Sequence, residues 1–502
     1  MRRTSLIVVV AALFFGSFGA GFLPALSPLE AGFPGVAEAG PWLNFGEGAR
    51  HWVPSLWAVV PFALMLLSIA LVPLINEHWW ENDRNRGAIC AVLGIPVLLY
   101  VLNSDLHGQH RILHTAIEYT SFLVLLGSLF VISGGIVITG NLQGTPLVNT
   151  AFLAVGALMA SFIGTTGAAM LLIRPILNTN SERRHVVHTV LFFIFIVCNC
   201  GGCLTPLGDP PLFLGYLKGV PFGWTFGLVV EWAFVCAVLL VVYFVFDVVQ
   251  HRKETKKDIQ LDVEHERPII VRGAHNFLFL GGVVLAVAWT DVFSFPSREG
   301  FMVLMAVGAW FTTRSEYRAQ NRFSFAPIRE VAVVFAGIFS TMIPALALLQ
   351  AKGDALGVTD PTQFFWSTGA LSAFLDNAPT YLSFLALGNG VSEWSPALMA
   401  DSMGFANGHA AFGSYAEVLQ HFESAGLARE DFFALPQPIL TGISLGAVFM
   451  GAMTYIGNGP NFMVRAIASN SGVKMPSFFG YILWSAVILL PLFFGVTWIF
   501  FH

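Results

Sequence analysis

Thr205-Pro206-Leu207-Gly208-Asp209-Pro210-Pro211 returns in the second half of the chain as Thr454-Tyr455-Ile456-Gly457-Asn458-Gly459-Pro460. Both stretches read T-x-x-G-[DN]-x-P, and both interrupt long apolar runs. Glycine loosens a helix and proline removes one of its hydrogen bonds, so each motif predicts a broken helix. A second pairing lies upstream of each. Glu118 precedes Thr165 by 47 positions, and Glu330 precedes Asp376 by 46, which aligns Thr165-Thr166 with Asp376-Asn377. Thr165 then precedes Thr205 by 40 positions, whereas Asp376 precedes Thr454 by 78. The excess is close to the length of an acidic stretch at about 389–435, which therefore reads as an insertion in the second of two repeats.

Composition sets the solvent in which these repeats fold. Of 502 residues, 56% are hydrophobic and 11% charged, against about 25% charged in an ordinary soluble domain. Candidate membrane spans lie at roughly 54–77, 86–102, 118–139, 186–206, 226–247, 274–293, 300–313, 331–351, 436–457 and 478–500. Their apolar period does not alternate as a barrel requires, so these are helices and the expected fold is an all-α polytopic membrane protein. Two further runs, 150–177 and 361–388, are interrupted by small and polar residues and read as re-entrant hairpins that enter and leave on one side. The start, Met1-Arg2-Arg3-Thr4 followed by Ser5 to Leu26, is either a signal peptide or a first membrane helix. The net charge of −5 comes with no basic block that would recruit nucleic acid.

The basic residues support this layout. Arg84 and Arg86 fall in one loop, and Arg174, Arg183 and Arg184 in another. Arg252, Lys253, Lys256, Lys257, Arg267 and Arg272 lie at 248–273, and Arg314, Arg318, Arg322 and Arg329 at 313–330. With both hairpins re-entrant, all of these loops share one side, which the bias of Lys and Arg makes cytoplasmic. The 389–435 stretch, with six acids and one arginine, falls outside. The first hairpin then opens from inside and the second from outside, so the repeats are inverted. The chain divides into an N-terminal segment 1–53, a first repeat 54–247, a solvated cytoplasmic linker 248–273, and a second repeat 274–502.

Inverted repeats place a substrate site near the midplane, where interrupted helices meet and free backbone groups can coordinate an ion. Asp376, in Leu375-Asp376-Asn377-Ala378-Pro379-Thr380, is the acid inside a hairpin, and Asp209 sits at the first broken helix. An ionised carboxylate in a bilayer is costly and marks function by default, although both acids are also good helix caps. Thr165, Thr166, Asn199, Thr205, Asn377, Thr454, Asn458 and Asn461 supply neutral oxygens of the kind hard cations prefer. Glu118 and Glu330 head their spans and are candidates for a gate or proton relay. Cys198-Asn199-Cys200-Gly201-Gly202-Cys203 resembles a metal spacing, but small buried residues that let helices approach are the expected reading, and no transition-metal site or cofactor is expected. The histidines are placed mostly in loops.

At these residues the sequence resembles the ion transporter superfamily, which includes NhaD-type sodium/proton antiporters, arsenite permeases, and di- and tricarboxylate carriers. The resemblance runs from about residue 54 to 500. Its most specific parts, Asn199 to Pro211 and Leu375 to Thr380, look most like the NhaD-type and arsenite branch. It implies inverted repeats, re-entrant hairpins and often a homodimer. The carboxylate carriers of this superfamily typically show Ser-Asn-Thr in each hairpin. Here the hairpins read Gly164-Thr165-Thr166 and Leu375-Asp376-Asn377. An acid in the site repels a carboxylate substrate by roughly 4 kcal/mol at about 4 Å and an effective dielectric near 20.

The expected function is therefore secondary transport, with Na⁺ or Li⁺ exchanged for H⁺ at one buried carboxylate, Asp376, in the cell (inner) membrane. Carboxylate transport of the citrate or dicarboxylate type, and arsenite transport, are the alternatives within the same superfamily. An enzyme is not expected, because the chain shows no metal-ligand triad, nucleophile elbow or phosphate loop.

Overall fold

A computed structural model describes residues 52–393 and 437–501, apart from Leu106, Thr290 and Asp291, together with Leu435. The signal-like N-terminal stretch and nearly all of the acidic insertion lie outside the described residues. The rest is helical, as composition requires. Among the described residues twelve apolar stretches form helices, six in each half: first α1 (Val60–Ile75), α2 (Asp83–Ser104), α3 (Gly108–Ser133), the first hairpin α4 (Pro146–Ile163) and α5 (Thr165–Thr179), a first broken helix α6 (Val187–Ile196) and α7 (Pro210–Leu217), and α8 (Val229–His251). After a linker with α9 (Lys256–Glu264), the chain continues through α10 (Asn276–Ala288), α11 (Ser297–Thr312) and α12 (Ala326–Lys352). It then forms the second hairpin α13 (Pro361–Phe374) and α14 (Asn377–Glu393), a second broken helix α15 (Gln437–Met450) and α16 (Gly459–Asn470), and α17 (Phe478–Phe500). Seven helices among the described residues are long and apolar enough to cross a membrane.

The order long helix, hairpin, broken helix, long helix thus occurs twice, as α3 to α8 and as α12 to α17. Local sequence explains the matching starts and breaks. Thr145 caps α4 by accepting from the Val148 amide, with Pro146 at the first position. Asp360 caps α13 with a reciprocal Gln363 contact, with Pro361 at the first position. Proline suits that position because its missing N–H has no helical partner there. Each broken helix passes through a short 3₁₀ turn, Cys200–Cys203 or Gly451–Met453, and restarts on a proline-containing first turn.

Two packed groups result. Helices α1, α2, α3, α10, α11 and α12 pack on one another; both hairpins, both broken helices, α8 and α17 form the other group. The groups meet where α12 packs on α14, α3 on α5, and α3 on α7. Large apolar side chains at helical spacing stay exposed on the outer faces, among them Val92, Ile95 and Leu99 on α2 and Leu483, Val487, Phe494 and Trp498 on α17. In water such a surface would associate; in hydrocarbon it is the solvated surface.

Three sequence expectations change. Glu118 does not open its span: α3 begins at Gly108, ten residues earlier, because a polar turn containing His110, Arg111 and His114 continues the helix beyond its apolar part. The same helix ends at Ser133, and Val137–Asn141 leaves it as strand β1, paired antiparallel with β2 (Arg267–Arg272) of the linker. The linker is accordingly not merely solvated. Asp262 accepts from the Gly144 amide at 2.8 Å, and Glu254 accepts from the amides of Arg184 and His185, at the two ends of the first hairpin. Burial works against the Glu254 charge, but those two amides and the His185 ring outweigh it and hold the carboxyl below its ordinary value.

The layout has a direct test. Lys253 and Asp354 are both exposed and are separated by α10, α11 and α12. Single cysteines at Lys253→Cys and Asp354→Cys are expected to react with impermeant maleimide from opposite sides of the membrane, Lys253→Cys from the cytoplasm. Labelling from one side would refute the three crossings.

Candidate ion site at the crossed helix breaks

The two breaks leave backbone groups without helical partners, and polar side chains of the hairpins supply them. Thr205 Oγ1 donates to the Ser161 carbonyl at the end of α4 and accepts from the Leu207 amide. Thr454 repeats this in the other half: its Oγ1 donates to the Ala373 carbonyl at the end of α13 and accepts from the amides of Ile456 and Gly457. Both hydroxyls are buried and engaged with backbone, so these two predicted ligands hold the breaks against the hairpin tips. The Thr165 amide donates to the Gly208 carbonyl at 2.8 Å, and Gly164 turns the first hairpin with φ of 82°.

Close crossing needs the glycines. A Cβ on Gly208 would overlap the Gly202 carbonyl oxygen, and one on Gly457 would lie 2.6 Å from the Gly451 oxygen. The same six-residue loop closure therefore occurs in both breaks.

Asp209 is the point where all four elements meet. Its side chain is buried. Oδ1 accepts from Thr165 Oγ1 at 3.0 Å and from Asn458 Nδ2 at 3.0 Å, while Oδ2 accepts from Asn377 Nδ2 at 2.7 Å. These donors come from the first hairpin, the second break and the second hairpin. All are neutral. Asp209 and Asn458 occupy equivalent places in the two T-x-x-G-[DN]-x-P motifs, so the repeat meets itself across this hydrogen bond. Asn199 and Asn461 form a second contact across the halves, Asn199 Nδ2 donating to Asn461 Oδ1 at 2.8 Å; Asn461 Nδ2 in turn donates to the Gly451 and Thr454 carbonyls. Asn458 Nδ2 also reaches the Cys198 carbonyl at 2.9 Å.

Asp376 differs from Asp209. It is half-buried, and its Oδ1 accepts from the Ala378 amide at 3.0 Å, capping α14. Its Oδ2 has no hydrogen-bond donor among the described residues. Thr166, beside Thr165, is likewise half-buried, and no hydrogen bond of its side chain is found among the described residues. The structure thus gathers Thr165, Asp209, Asn377 and Asn458 into one network, links Asn199 and Asn461 to it, and leaves Asp376 and Thr166 at its margin.

Glu118 and Glu330 are not brought to this site. Glu330 pairs with Arg86 at 2.5 Å, and Glu118 lies against Lys218 on α3. The cysteines Cys198, Cys200 and Cys203 are buried free thiols in the tightly packed turn, and no metal-holding cluster occurs among the described residues.

Sequence reasoning missed two kinds of residue. Ser161 and Ser372 stand four positions before Thr165 and Asp376, and each donates to a carbonyl of its broken helix, Gly201 or Ala447; their matching spacing was the available signal. A buried group around Asp247 gave no such signal. Asp247 accepts from Arg183, Asn149, Tyr243 and His188, the last at 2.7 Å, and ties both ends of the first hairpin to α8. His188 is therefore a buried helix residue rather than a loop histidine.

A family model described as "Putative citrate transport" (CitMHS_2) matches residues 51–501, nearly the whole chain. The chain belongs to that family: it is a multi-pass membrane protein and a secondary transporter, which is not an enzyme class. No curated protein matches it.

The crossing makes a stability prediction. Gly208→Ala forces its Cβ into backbone that cannot move aside, and overpacking of this kind costs about 1–3 kcal/mol or more. Gly459→Ala adds a Cβ with nothing within 4 Å. In detergent, Gly208→Ala is expected to lower the unfolding midpoint clearly and Gly459→Ala to leave it within a degree or two; equal midpoints would contradict the tight crossing.

Proposed function

We propose that this member of the family exchanges Na⁺ or Li⁺ for H⁺ across the cell (inner) membrane, with Asp376 as the shared carboxylate. The observation that carries the reading is the charge of the crossing. Asp209 sits buried among neutral donors, Asp376 lies one residue from its partner Asn377, and no basic side chain hydrogen-bonds either acid among the described residues. A pair of uncompensated acids attracts a cation and repels an anion by a term of roughly 4 kcal/mol per pair at about 4 Å and dielectric 20.

The two acids take different parts. Both Asp209 oxygens already accept hydrogen bonds, so Asp209 holds the tips together and keeps no oxygen free for a ligand. Asp376 keeps one oxygen for a ligand, and Thr166 stands at the corresponding tip of the other hairpin. Na⁺ and H⁺ compete for that oxygen, and competition for one site is sufficient for antiport. The proposal includes inverted repeats, re-entrant hairpins and a homodimer, as the resemblance implies. Supporting a two-fold relation between the halves, α7 packs on the second hairpin's outgoing arm α14, while α16 packs on the first hairpin's outgoing arm α5.

The family description favours a second reading, transport of a citrate-type carboxylate. It requires a cation to screen the acids before the anion arrives. Proteoliposomes with an internal pH-sensitive dye separate the readings when Na⁺, Li⁺, citrate, succinate and arsenite are added in turn. Proton movement driven by Na⁺ or Li⁺ alone is expected. Movement only with citrate or succinate would replace the antiport reading with the carboxylate one.

Substitutions test the division of labour. Asp376→Asn keeps the cap but removes the titratable charge, and exchange is expected to fall at least a hundredfold. Asp209→Asn is accommodated if the Asn377 amide turns over, so it is expected to retain exchange with a several-fold higher KM for Na⁺. Wild-type rates in Asp376→Asn would refute the shared carboxylate.

A further inference from the structure

The half-helix headed by Asp209 is held at its far end by charge. Helix α7 is two turns long, from Pro210 to Leu217, and Lys218 follows it directly. Lys218 Nζ lies 2.5 Å from Glu118 Oε1 on α3, with side-chain exposures of 11% and 5%. His114, one turn before Glu118, approaches the same carboxylate at 3.3 Å. Beside this pair, Arg298 at the start of α11 donates to the Tyr216 hydroxyl of α7 at 3.0 Å, and its guanidinium lies 5.4 Å from the centre of the Tyr216 ring. Arg298 also pairs with Glu299, which accepts from Ser121 of α3 at 2.7 Å. Two cations and two anions, all nearly buried, therefore bind α7 to α3 and α11. Those helices belong to one packed group and α7 to the other.

We propose that this cluster is an ionic clasp between the two helix groups, with Lys218 and Arg298 as positioning residues that fix α7, and through it Asp209, in the conformation seen here. The assignment rests on the transport reading, because a transporter must alternate the side to which its site opens. The physical reason is the cost of separation. A buried pair is favourable only while both partners stay together, and removing one leaves an uncompensated buried charge. The apolar side chains of α7 and the Gly215–Tyr381 contact hold it to its own group, and the charges are what tie it to α3 and α11. The clasp lies at the end of α7 opposite Asp209, so a group movement that carries α7 away from α3 must open it, while the hydrogen bonds at Asp209 can persist. The site thus travels as a unit and the clasp sets which position is favoured.

The test joins the two groups covalently. Glu118→Cys/Lys218→Cys is bridged with a short bis-methanethiosulfonate reagent; the five native cysteines are buried, and wild-type protein is the labelling control. The bridged protein is expected to lose at least ten-fold in exchange rate and to recover it on reduction. Undiminished exchange by the bridged protein overturns the clasp. A second measurement does not depend on the ion transported. In Lys218→Met, hydrogen–deuterium exchange of the 210–218 segment is expected to rise about ten-fold, and the charge swap Glu118→Lys/Lys218→Glu to restore protection. Unchanged protection in Lys218→Met also overturns the clasp. Should wild-type protein move none of the ions offered, the transport reading fails, and the exchange of segment 210–218 still decides whether the cluster pins α7.

Discussion

Two helices are broken in the interior of an apolar protein, and every polar backbone group freed at the breaks has to find a partner within the chain. The rest of the architecture follows from that requirement. Thr205 and Thr454 bridge each break to the carbonyl end of its own hairpin, and the Thr165 amide caps the Gly208 carbonyl from the opposite direction. A hairpin without its broken helix would leave those carbonyls unpaired, and a broken helix without its hairpin would leave the hydroxyls and the amide unpaired. Each unsatisfied group would cost several kcal/mol in hydrocarbon. Breaks and tips therefore form as one unit in each half.

The two units are joined at Asp209, and here the repeat departs from symmetry. Its equivalent is Asn458, which donates to it. Two aspartates facing each other across the same contact would repel; two asparagines would satisfy each other and leave no charge. One acid and one amide give a hydrogen bond and retain one titratable carboxyl. The hairpin tips divide in the same way, Thr165 in the first half and Asp376 in the second. Each half thus contributes one acid and one neutral oxygen donor, in opposite places. The two carboxyls thus stand in one centre without occupying equivalent positions.

The parts of this arrangement that repeat were the parts legible in the sequence. The T-x-x-G-[DN]-x-P motifs, the tips at Thr165 and Asp376, and nearly all the helices could be read because two copies confirmed each other or because apolar length decided them. What depended on a single copy was misread. Glu118 looked like a helix start because hydropathy ends before the helix does, and α3 continues through a turn of histidines and an arginine. The linker looked solvated because its charges alternate, yet Glu254 and Asp262 turn inward to backbone amides that no sequence pattern marks. The Asp247 group draws Asn149, Arg183, His188 and Tyr243 from four segments, and contacts of that range leave no local trace.

The same distinction separates what is rigid from what can move. Within the site group, contacts are backbone-directed and glycine-tight: Ser372 to Ala447, Gly446 against Phe365, Gly457 against Gly451. Such packing allows no sliding without collision. Between the groups, α14 meets α12 just as closely, Gly390 against the Gln350 carbonyl, but the contact made by α7 is of another kind. Tyr381 lies against Gly215, inside the site group, whereas α7 meets α3 and α11 through Lys218, Glu118, Tyr216 and Arg298. Charged side chains on long stems can part and find water where interlocked backbone cannot, because their desolvation cost is returned when solvent reaches them. Rearrangement at α7 is therefore expected to part its charged contacts with α3 and α11, with the crossed breaks carried intact.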